Sequence, residues 1–274
     1  MNLSIDGRGI TLYNGSGIGT YTENLVRELL NLDNKNKYTI FWAGDNYEEF
    51  KKENTTLVFT SKKHGMFYEN FYYPSYLKDN KIDLHHIPQN GIGLSKDYTL
   101  PCIVTIHDII PYIMPETCGK GYLARFLRDM PYIIDSAKGI LTVSEYSKKD
   151  ILKFFPNFPS DKIFVTPLAA NSSYFPMDKN LCTNYLKEKF NIDFPFILYI
   201  GGFSSRKNVR TLILSFKDIY ATLKSDYKLV LCGSLKDEGE KLKELCKEIG
   251  LDDKVIFTGF IDDKDLPFFY NGCS

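Results

Sequence analysis

The sequence lacks several features that would assign it to a class at once. Its 274 residues contain no apolar run near the ~18–20 residues that a membrane-spanning helix needs. The charge is balanced, with 34 Lys+Arg against 34 Asp+Glu, which argues against nucleic acid as the main partner. The six cysteines are scattered and form no C-x-x-C pair, so we expect reduced thiols that serve mainly in packing, in a cytoplasmic protein.

The pattern that is present is an alternation of short strands and helices. Short runs rich in β-branched and aromatic residues alternate with helical patterns along the whole chain, which predicts an α/β protein with parallel sheets. Turn residues and a proline in residues 171–180 interrupt the alternation and indicate a linker. We therefore expect one domain over residues 1–175 and a second over residues 176–274.

The second domain shows only part of a doubly wound pattern. From Phe196 onward the sequence predicts strand, helix, strand, helix, strand and the start of another helix. A complete doubly wound sheet has two such halves, and its ligand crevice lies between them. We expect the second sheet to be incomplete, with one wall of that crevice absent.

A glycine-rich sequence, G-x-G-x-G over residues 15–19, carries the first candidate site. A T-x-x-E capping box follows it, which predicts a helix beginning at Tyr21 with Thr20 as its N-cap. Gly17 and Gly19 would let a ligand approach the backbone N–H groups there. The alternative is an ordinary tight turn. The spacing differs from the dinucleotide G-x-G-x-x-G and no acidic ribose partner follows, which disfavours an NAD-dependent oxidoreductase.

The second candidate is His107, which with Asp108 follows an apolar strand at residues 103–106. The carboxyl ends of parallel strands form the ligand side of an open sheet. An imidazole there can donate to a hydroxyl group or share the charge of a leaving phosphate. A structural histidine is the alternative. His85 and His86 end another predicted strand and are less favoured.

A Gly-Gly turn after a strand carries the third candidate. Gly202 is followed by Arg206, Lys207 and Asn208, and Asn208 is a suitable N-cap for the next helix. Two cations beside a helix N-terminus can bind a diphosphate, because their charges add to the helix dipole. The alternative is a solvated loop with ordinary surface cations.

Residues 120–128 form a basic, amphipathic stretch with two possible roles. It could make a peripheral contact with a membrane or a lipid-linked acceptor. Its periodicity is also that of an ordinary surface helix, which we favour. The sequence contains no G-x-S-x-G, H-E-x-x-H or Walker A motif that would assign another chemistry.

Five motifs occur in an order that resembles glycosyltransferase family 4, the retaining group 1 enzymes with a GT-B fold. They are G-I-G-T-Y (17–21), T-I-H-D-I-I-P (105–111), L-T-V-S-E-Y-S-K-K-D (141–150), Y-I-G-G-F-S-S-R-K-N (199–208) and V-I-F-T-G-F-I-D-D-K-D-L (255–266). The resemblance covers essentially the whole chain. It implies two Rossmann-like domains, an N-terminal acceptor-side domain and a C-terminal domain that binds a nucleotide-sugar.

The resemblance also implies the activity and the site residues. The expected reaction moves a hexosyl group, with mannosyl favoured, from a nucleotide-sugar to a saccharide or lipid-linked acceptor in bacterial surface polysaccharide synthesis, with retention of configuration. His107 would contact the donor sugar, and Gly17 and Gly19 would admit the donor phosphate and the acceptor. Gly202, Arg206 and Lys207 would bind the diphosphate, so that no metal or other cofactor is essential.

The sequence departs from the family pattern in one respect. The E-x-F-G-x-x-x-x-E segment of the family, whose glutamates are expected near the donor sugar and the ribose, has no counterpart in residues 1–274. We therefore expect a C-terminally truncated transferase with weak or no activity by itself. The alternative is a non-catalytic binding or assembly subunit that a partner chain completes.

Overall fold

A computed structural model describes residues 1–223, 226–235 and 237–274, without the side chains of Lys62 and Asp237. The chain divides into two compact units, Met1–Ala169 and Ala170–Ser274, slightly before the predicted boundary after residue 175. The segment after Ala169 packs within the second unit, because Asn271 accepts a hydrogen bond from the Met177 N–H (3.0 Å) and donates one to the Phe175 carbonyl (3.1 Å).

The first unit is built on one parallel sheet. Its strands are β1 Asn2–Asp6, β2 Lys37–Trp42, β3 Thr55–Phe59, β4 Leu84–Ile87, β5 Cys102–Thr105, β6 Gly139–Thr142 and β7 Ile163–Val165. Its helices are α1 Gly9–Leu12, α2 Gly17–Leu32, α3 Gly65–Phe67, α4 Tyr73–Asp79, α5 Ile110–Ile113, α6 Lys120–Ser136 and α7 Glu145–Phe154. A π-helical turn, Tyr68–Tyr72, joins α3 to α4.

The strand order in this sheet is β3-β2-β1-β4-β5-β6-β7, and every adjacent pair is parallel. From β1 the chain adds strands towards one edge of the sheet, and from β4 it adds strands towards the other edge. In such sheets the ligand crevice lies at the carboxyl ends of the strands, where the order reverses. The loops that follow β1, β4 and β5 therefore border the candidate site.

Apolar side chains on both faces of this sheet form its core. Ile87, Val104 and Ile140 pack with Phe126 and Met130 of α6, and each of these side chains is fully buried. A second cluster joins β1 and β2 to α2. Helix α6 is thus held by its apolar face, and its polar face remains in solvent.

The second unit contains a smaller parallel sheet in its described residues. Its strands, β8 Phe196–Ile200, β9 Lys228–Cys232 and β10 Val255–Gly259, pair in the order β10-β9-β8. Its helices are α8 Lys179–Phe190, α9 Val209–Tyr220, α10 Asp237–Glu248 and α11 Leu266–Gly272. Helix α8 packs with α11 on one face of the sheet, and α9 packs with α10 on the other.

The α/β architecture with two parallel sheets confirms the fold class predicted from the alternating pattern. The central strand β1 and the helices α1, α5 and α8 were not predicted. Within the described ranges, no helix is both long enough and apolar enough to span a bilayer.

Candidate active site

The glycine-rich loop ends one turn earlier than the sequence predicted. Helix α2 begins at Gly17, and its N-cap is Ser16, whose Oγ accepts a hydrogen bond from the Gly19 N–H at 3.3 Å. The same hydroxyl donates to the Tyr13 carbonyl at 2.6 Å, which closes the loop just before the helix. Thr20 consequently lies inside α2, and its predicted capping role is wrong.

Gly17 and Gly19 have different surroundings. A Cβ atom on Gly19 would lie 2.3 Å from the Tyr13 carbonyl oxygen, so that the close approach of the loop requires glycine there. A Cβ atom on Gly17 would meet nothing within 4 Å. The first N–H groups of a helix lack partners within the helix and carry the positive end of its dipole. Gly17 thus leaves space for a ligand beside these groups, whereas Gly19 serves packing.

His107 lies just beyond the carboxyl end of β5, and its backbone is fixed on two sides. Its N–H donates to Asn90 Oδ1 at 2.8 Å, and its carbonyl accepts from Ser147 Oγ at 2.9 Å. Asn90 follows β4, is 1% exposed and has a positive φ of 54°. Asparagine tolerates this conformation better than most residues, so its side chain is held where the His107 loop needs an acceptor.

The imidazole of His107 is held in one tautomer. Its Nε2 lies 2.9 Å from the Pro88 carbonyl oxygen, and a carbonyl can only accept, so Nε2 carries the proton. Burial lowers the pKa of His107, although the bond to Pro88 opposes this shift. At neutral pH the ring is therefore uncharged, and Nδ1 is an acceptor suited to a ligand hydroxyl. The neighbouring Asp108 accepts the Ile110 N–H at 3.0 Å at the start of α5.

Tyr21 connects the glycine-rich loop to His107. Its ring meets the His107 imidazole edge to face, with the two ring centroids 4.7 Å apart. Its hydroxyl lies 3.3 Å from Thr105 Oγ1 at the end of β5. The structure thus brings the first turn of α2, with Gly17 and Gly19, to the same edge of the sheet as His107.

A buried ion pair lies beside this edge, and the sequence did not indicate it. Asp6 ends β1 and receives two hydrogen bonds from the Arg8 guanidinium, at 2.6 and 2.8 Å. Gln89 Nε2 donates to the same carboxylate at 2.6 Å. Burial alone would raise the pKa of Asp6, but the Arg8 charge holds it below its usual range. Removing one partner of such a buried pair typically costs about 3–5 kcal/mol.

The ion pair continues outward through Glu69 of the π-helical turn. Glu69 accepts from Arg8 at 3.2 Å and from Arg125 of α6 at 3.1 Å. Arg125 is 42% exposed, so this chain of charges runs from the interior to the surface. These ion pairs link the loop after β1 to the segment after β3 and to helix α6.

His85 and His86, which the sequence favoured less, are both buried and hydrogen-bonded within the first unit. His85 Nδ1 is 2.7 Å from Ser4 Oγ, and His86 Nε2 is 2.8 Å from Thr105 Oγ1. Burial lowers the pKa of His85 to about 4 and that of His86 to about 3. Both rings are therefore neutral at physiological pH.

In the second unit, the turn after β8 has the tight backbone that its glycines predict. Gly201 has a φ of 152°, and its carbonyl oxygen would be 2.0 Å from a Cβ atom on Gly233 after β9. The Tyr199 hydroxyl donates to the Gly202 carbonyl at 2.7 Å, which holds the turn against its own strand. A Cβ atom on Gly202 would meet nothing within 4 Å, so its Cα borders open space.

Arg206 and Lys207 lie in a 3-10 turn, Ser205–Lys207, directly before α9. Both are exposed, and among the described residues neither side chain has an ion pair or hydrogen bond. Asn208 holds the N-cap position in a left-handed conformation, but its side chain accepts from Thr211 Oγ1 instead of capping an N–H group. Gly202, Arg206 and Lys207 thus form one cationic loop within the second unit.

Two family models match the chain. The model described as Glycosyltransferase Family 4 matches residues 15–173, which is more than half of the sequence. The chain belongs to glycosyltransferase family 4. A second model, described as Glycosyl transferases group 1, matches residues 185–274. The resemblance inferred from five motifs is thereby confirmed.

Family 4 relatives with curated names include mannosyltransferases. The chain is 30% identical over 200 residues to the O-antigen chain mannosyltransferase B of Escherichia coli, covering 71% of the chain and 50% of the relative. It is 27% identical over 175 residues to the serotype-specific mannosyltransferase WbdA of Escherichia coli, covering 62% of the chain and 21% of the relative. The chain therefore spans half of the first relative's length and about a fifth of the second's.

Solved structures of glycosyltransferases share the fold. Anabaena Alr3699/HepE in complex with UDP and glucose superposes with a TM-score of 0.68 at 14% identity, covering 99% of this chain and 71% of that one. The lipopolysaccharide glycosyltransferase WaaG gives a TM-score of 0.67 at 13% identity, with coverages of 100% and 73%. These superpositions confirm the GT-B fold that the family resemblance implied.

Proposed function

We propose that this family 4 chain belongs to a hexosyltransferase, with mannosyl as the favoured group, that acts in bacterial surface polysaccharide synthesis. The donor would be a nucleotide-sugar, and the acceptor a saccharide or lipid-linked saccharide on the cytoplasmic side of the membrane. Two relatives, an O-antigen chain mannosyltransferase and a serotype-specific mannosyltransferase, support the sugar and the setting. UDP and glucose bound to a protein of the same fold support a nucleotide-sugar donor.

The geometry of His107 is the observation that carries this proposal. Its Nε2–H is committed to the Pro88 carbonyl, and its backbone is fixed by Asn90 and Ser147. The neutral ring therefore offers Nδ1 alone to a ligand, in the orientation that accepts a sugar hydroxyl. In this role His107 binds and orients the donor sugar, and the space beside Gly17 admits the acceptor or the donor phosphate.

The cationic loop of the second unit would hold the diphosphate. Arg206 and Lys207 are exposed and precede the N-terminus of α9, where side-chain charge and helix dipole act together on an anion. As the sugar leaves, negative charge grows on the phosphate, and two positioned cations stabilise it. We propose that these cations take the place of an essential metal. Retention means that the acceptor attacks the face of the sugar from which the diphosphate departs.

The contact between His107 and the donor sugar can be measured without turnover. We would record saturation-transfer difference NMR spectra of GDP-mannose, UDP-glucose and UDP-galactose with the wild-type chain, His107→Ala and His64→Ala. His64 is the matched control, because it is an exposed histidine of the same unit. We expect GDP-mannose sugar protons to lose saturation in His107→Ala only, while its base protons keep theirs. Unchanged sugar signals in His107→Ala would contradict the assigned role.

A further inference from the structure

A cleft of about 620 Å³ lies beside the candidate site in the first unit. Its walls come from the segment after β3, the loop after β4 and helix α6, and we call it the α6 cleft. His107, Asn90 and Gly17 do not line it, so the cleft is a separate space. Its volume is in the range of small-molecule sites in proteins.

The loop after β4 is fixed where it forms one wall of the α6 cleft. Gly93 has a φ of 109°, and a Cβ atom on it would lie 3.1 Å from Arg8 Nη2 and 3.3 Å from Glu69 Oε1. Glycine therefore permits both the backbone conformation and the close approach to the ion pair. The Tyr132 hydroxyl of α6 donates to the Ser95 carbonyl at 2.8 Å and holds the loop to the helix. The cleft is thus built from connected elements of one unit.

The charges in the α6 cleft cancel. Three cationic and three acidic side chains line it, namely Lys96, Arg125, Arg128, Glu69, Asp97 and Asp129. Arg125 pairs with Glu69 at 3.1 Å and with Asp129 at 3.5 Å. Arg128 pairs with the same aspartate at 2.6 Å. Because each guanidinium already has a carboxylate beside it, the cleft suits an uncharged polar ligand better than a phosphate.

Other polar groups of the cleft are available to a ligand. Asn70 and Asp97 are exposed, and within the described ranges neither side chain has a hydrogen bond or an ion pair. Lys96 adjoins Asp97 in the chain, so its charge is also balanced locally. Met66 and Leu94 add apolar atoms to the same cleft. A saccharide matches such a surface, because its hydroxyl groups donate and accept hydrogen bonds and its C–H groups pack on apolar atoms.

Helix α6 connects the cleft to the His107 loop. The Tyr122 hydroxyl of this helix lies 3.4 Å from Asn90 Nδ2, and Asn90 Oδ1 accepts the His107 N–H. Tyr132, which lines the cleft, is ten residues further along α6, or ~15 Å at the rise of a helix. That length exceeds a single sugar ring, so only a chain of several sugars reaches both places.

We propose that the α6 cleft binds uncharged saccharide units of the acceptor that lie beyond the unit receiving the new sugar. The inference rests on the proposed function, because it assumes a saccharide acceptor. Asn70 and Asp97 bind hydroxyl groups of these units. Glu69 sets the charge preference, since its carboxylate neutralises Arg8 and Arg125 and thereby removes the attraction for an acidic group.

The test is saturation-transfer difference NMR of the chain with mannotriose, maltotriose and methyl α-mannoside, without any nucleotide. The cleft variant, Asn70→Ala/Asp97→Ala, removes the two polar groups without partners. Asn34→Ala/Asp79→Ala is the matched control, because both residues are exposed in the first unit and neither lines the cleft. Emission from Trp42, the single tryptophan, verifies that the first unit is folded in each variant.

We expect mannotriose to bind the wild-type chain and the control variant equally. The cleft variant should bind it at least ~10-fold more weakly, since lost hydrogen bonds to an amide and a carboxylate together supply a factor of that order. Methyl α-mannoside, with one ring, should bind more weakly than mannotriose. Equal binding of mannotriose by the cleft variant, or no saturation of either trisaccharide by a folded wild-type chain, would overturn the proposal.

Inorganic phosphate tests the charge preference through the width of its phosphorus NMR signal. Arg206→Ala/Lys207→Ala is the background for this measurement, because it removes the cationic loop of the second unit. Adding Glu69→Gln takes a carboxylate from Arg125, so we expect phosphate to broaden only with that variant. Broadening without Glu69→Gln, abolished by Arg125→Ala, would overturn the proposal because the cleft would then take an anion. A missing contact between GDP-mannose and His107, with mannotriose still bound, would reject the proposed function alone.

Discussion

The hydrogen bond from the His107 N–H to Asn90 gives the sharpest prediction about how the site is held. Asn90→Ala removes the acceptor and leaves this N–H without a partner, which costs about 1–3 kcal/mol. Alanine at a positive φ, here 54°, adds about 1–2 kcal/mol of backbone strain. We therefore expect Asn90→Ala to lower the free energy of unfolding of the first unit by about 2–5 kcal/mol.

Asn46→Ala separates the two contributions. Asn46 has a φ of 63°, is exposed and lies in the same unit, so its replacement carries the backbone strain without the lost hydrogen bond. The assay is urea unfolding followed by Trp42 fluorescence, which reports the first unit because the chain has one tryptophan. We expect Asn90→Ala to be less stable than Asn46→Ala by about 1–3 kcal/mol. Equal losses would refute the view that Asn90 positions the His107 loop.

Two further predictions concern acid stability and the glycines. His85 and His86 have pKa values of about 4 and 3 in the folded chain but about 6.5 when unfolded, so the unfolded state binds more protons below pH 6.5. Between pH 7 and pH 5 the free energy of unfolding should therefore fall by about 2 kcal/mol for each ring. A free energy of unfolding that does not change over this range would contradict the burial of the two rings as neutral groups. Gly19→Ala, whose Cβ would lie 2.3 Å from the Tyr13 carbonyl oxygen, should lower the free energy of unfolding of the first unit by about 1–3 kcal/mol. Gly17→Ala should leave the unfolding midpoint unchanged or raise it, and a large loss would show that Gly17 serves packing.

Local patterns predicted the alternation of elements but not the central strand of the first sheet. β1 contains the apolar residues Leu3 and Ile5, with Ser4 between them. Ser4 is buried because it bonds to His85, a residue 81 positions away in the chain. The hydrophobic pattern of neighbouring residues cannot show a partner so far away in the chain. A buried serine in a strand therefore cannot be told from an exposed one by the local sequence.

The candidate site was predicted where the chemistry is local and missed where it depends on distant residues. His107 follows its own strand, and Arg206 and Lys207 follow theirs, so both positions could be inferred from strand endings. The contact between Arg8 and Glu69 joins residues 61 positions apart. The sequence did contain one signal for Asn90, because an asparagine before glycine is typical of a left-handed turn.

The central claim is that the cationic loop of the second unit binds the diphosphate of a nucleotide-sugar. Calorimetric titration of the chain with GDP, UDP and ADP tests it most directly, with Arg206→Ala/Lys207→Ala beside the wild type. Lys217→Ala is the control, because it removes a cation from the last turn of α9 instead of its start. We predict that one nucleotide binds and that the double variant weakens it at least ~10-fold, as expected for lost charge-assisted hydrogen bonds. Equal binding by the double variant, or no binding by a folded wild-type chain, would contradict the account.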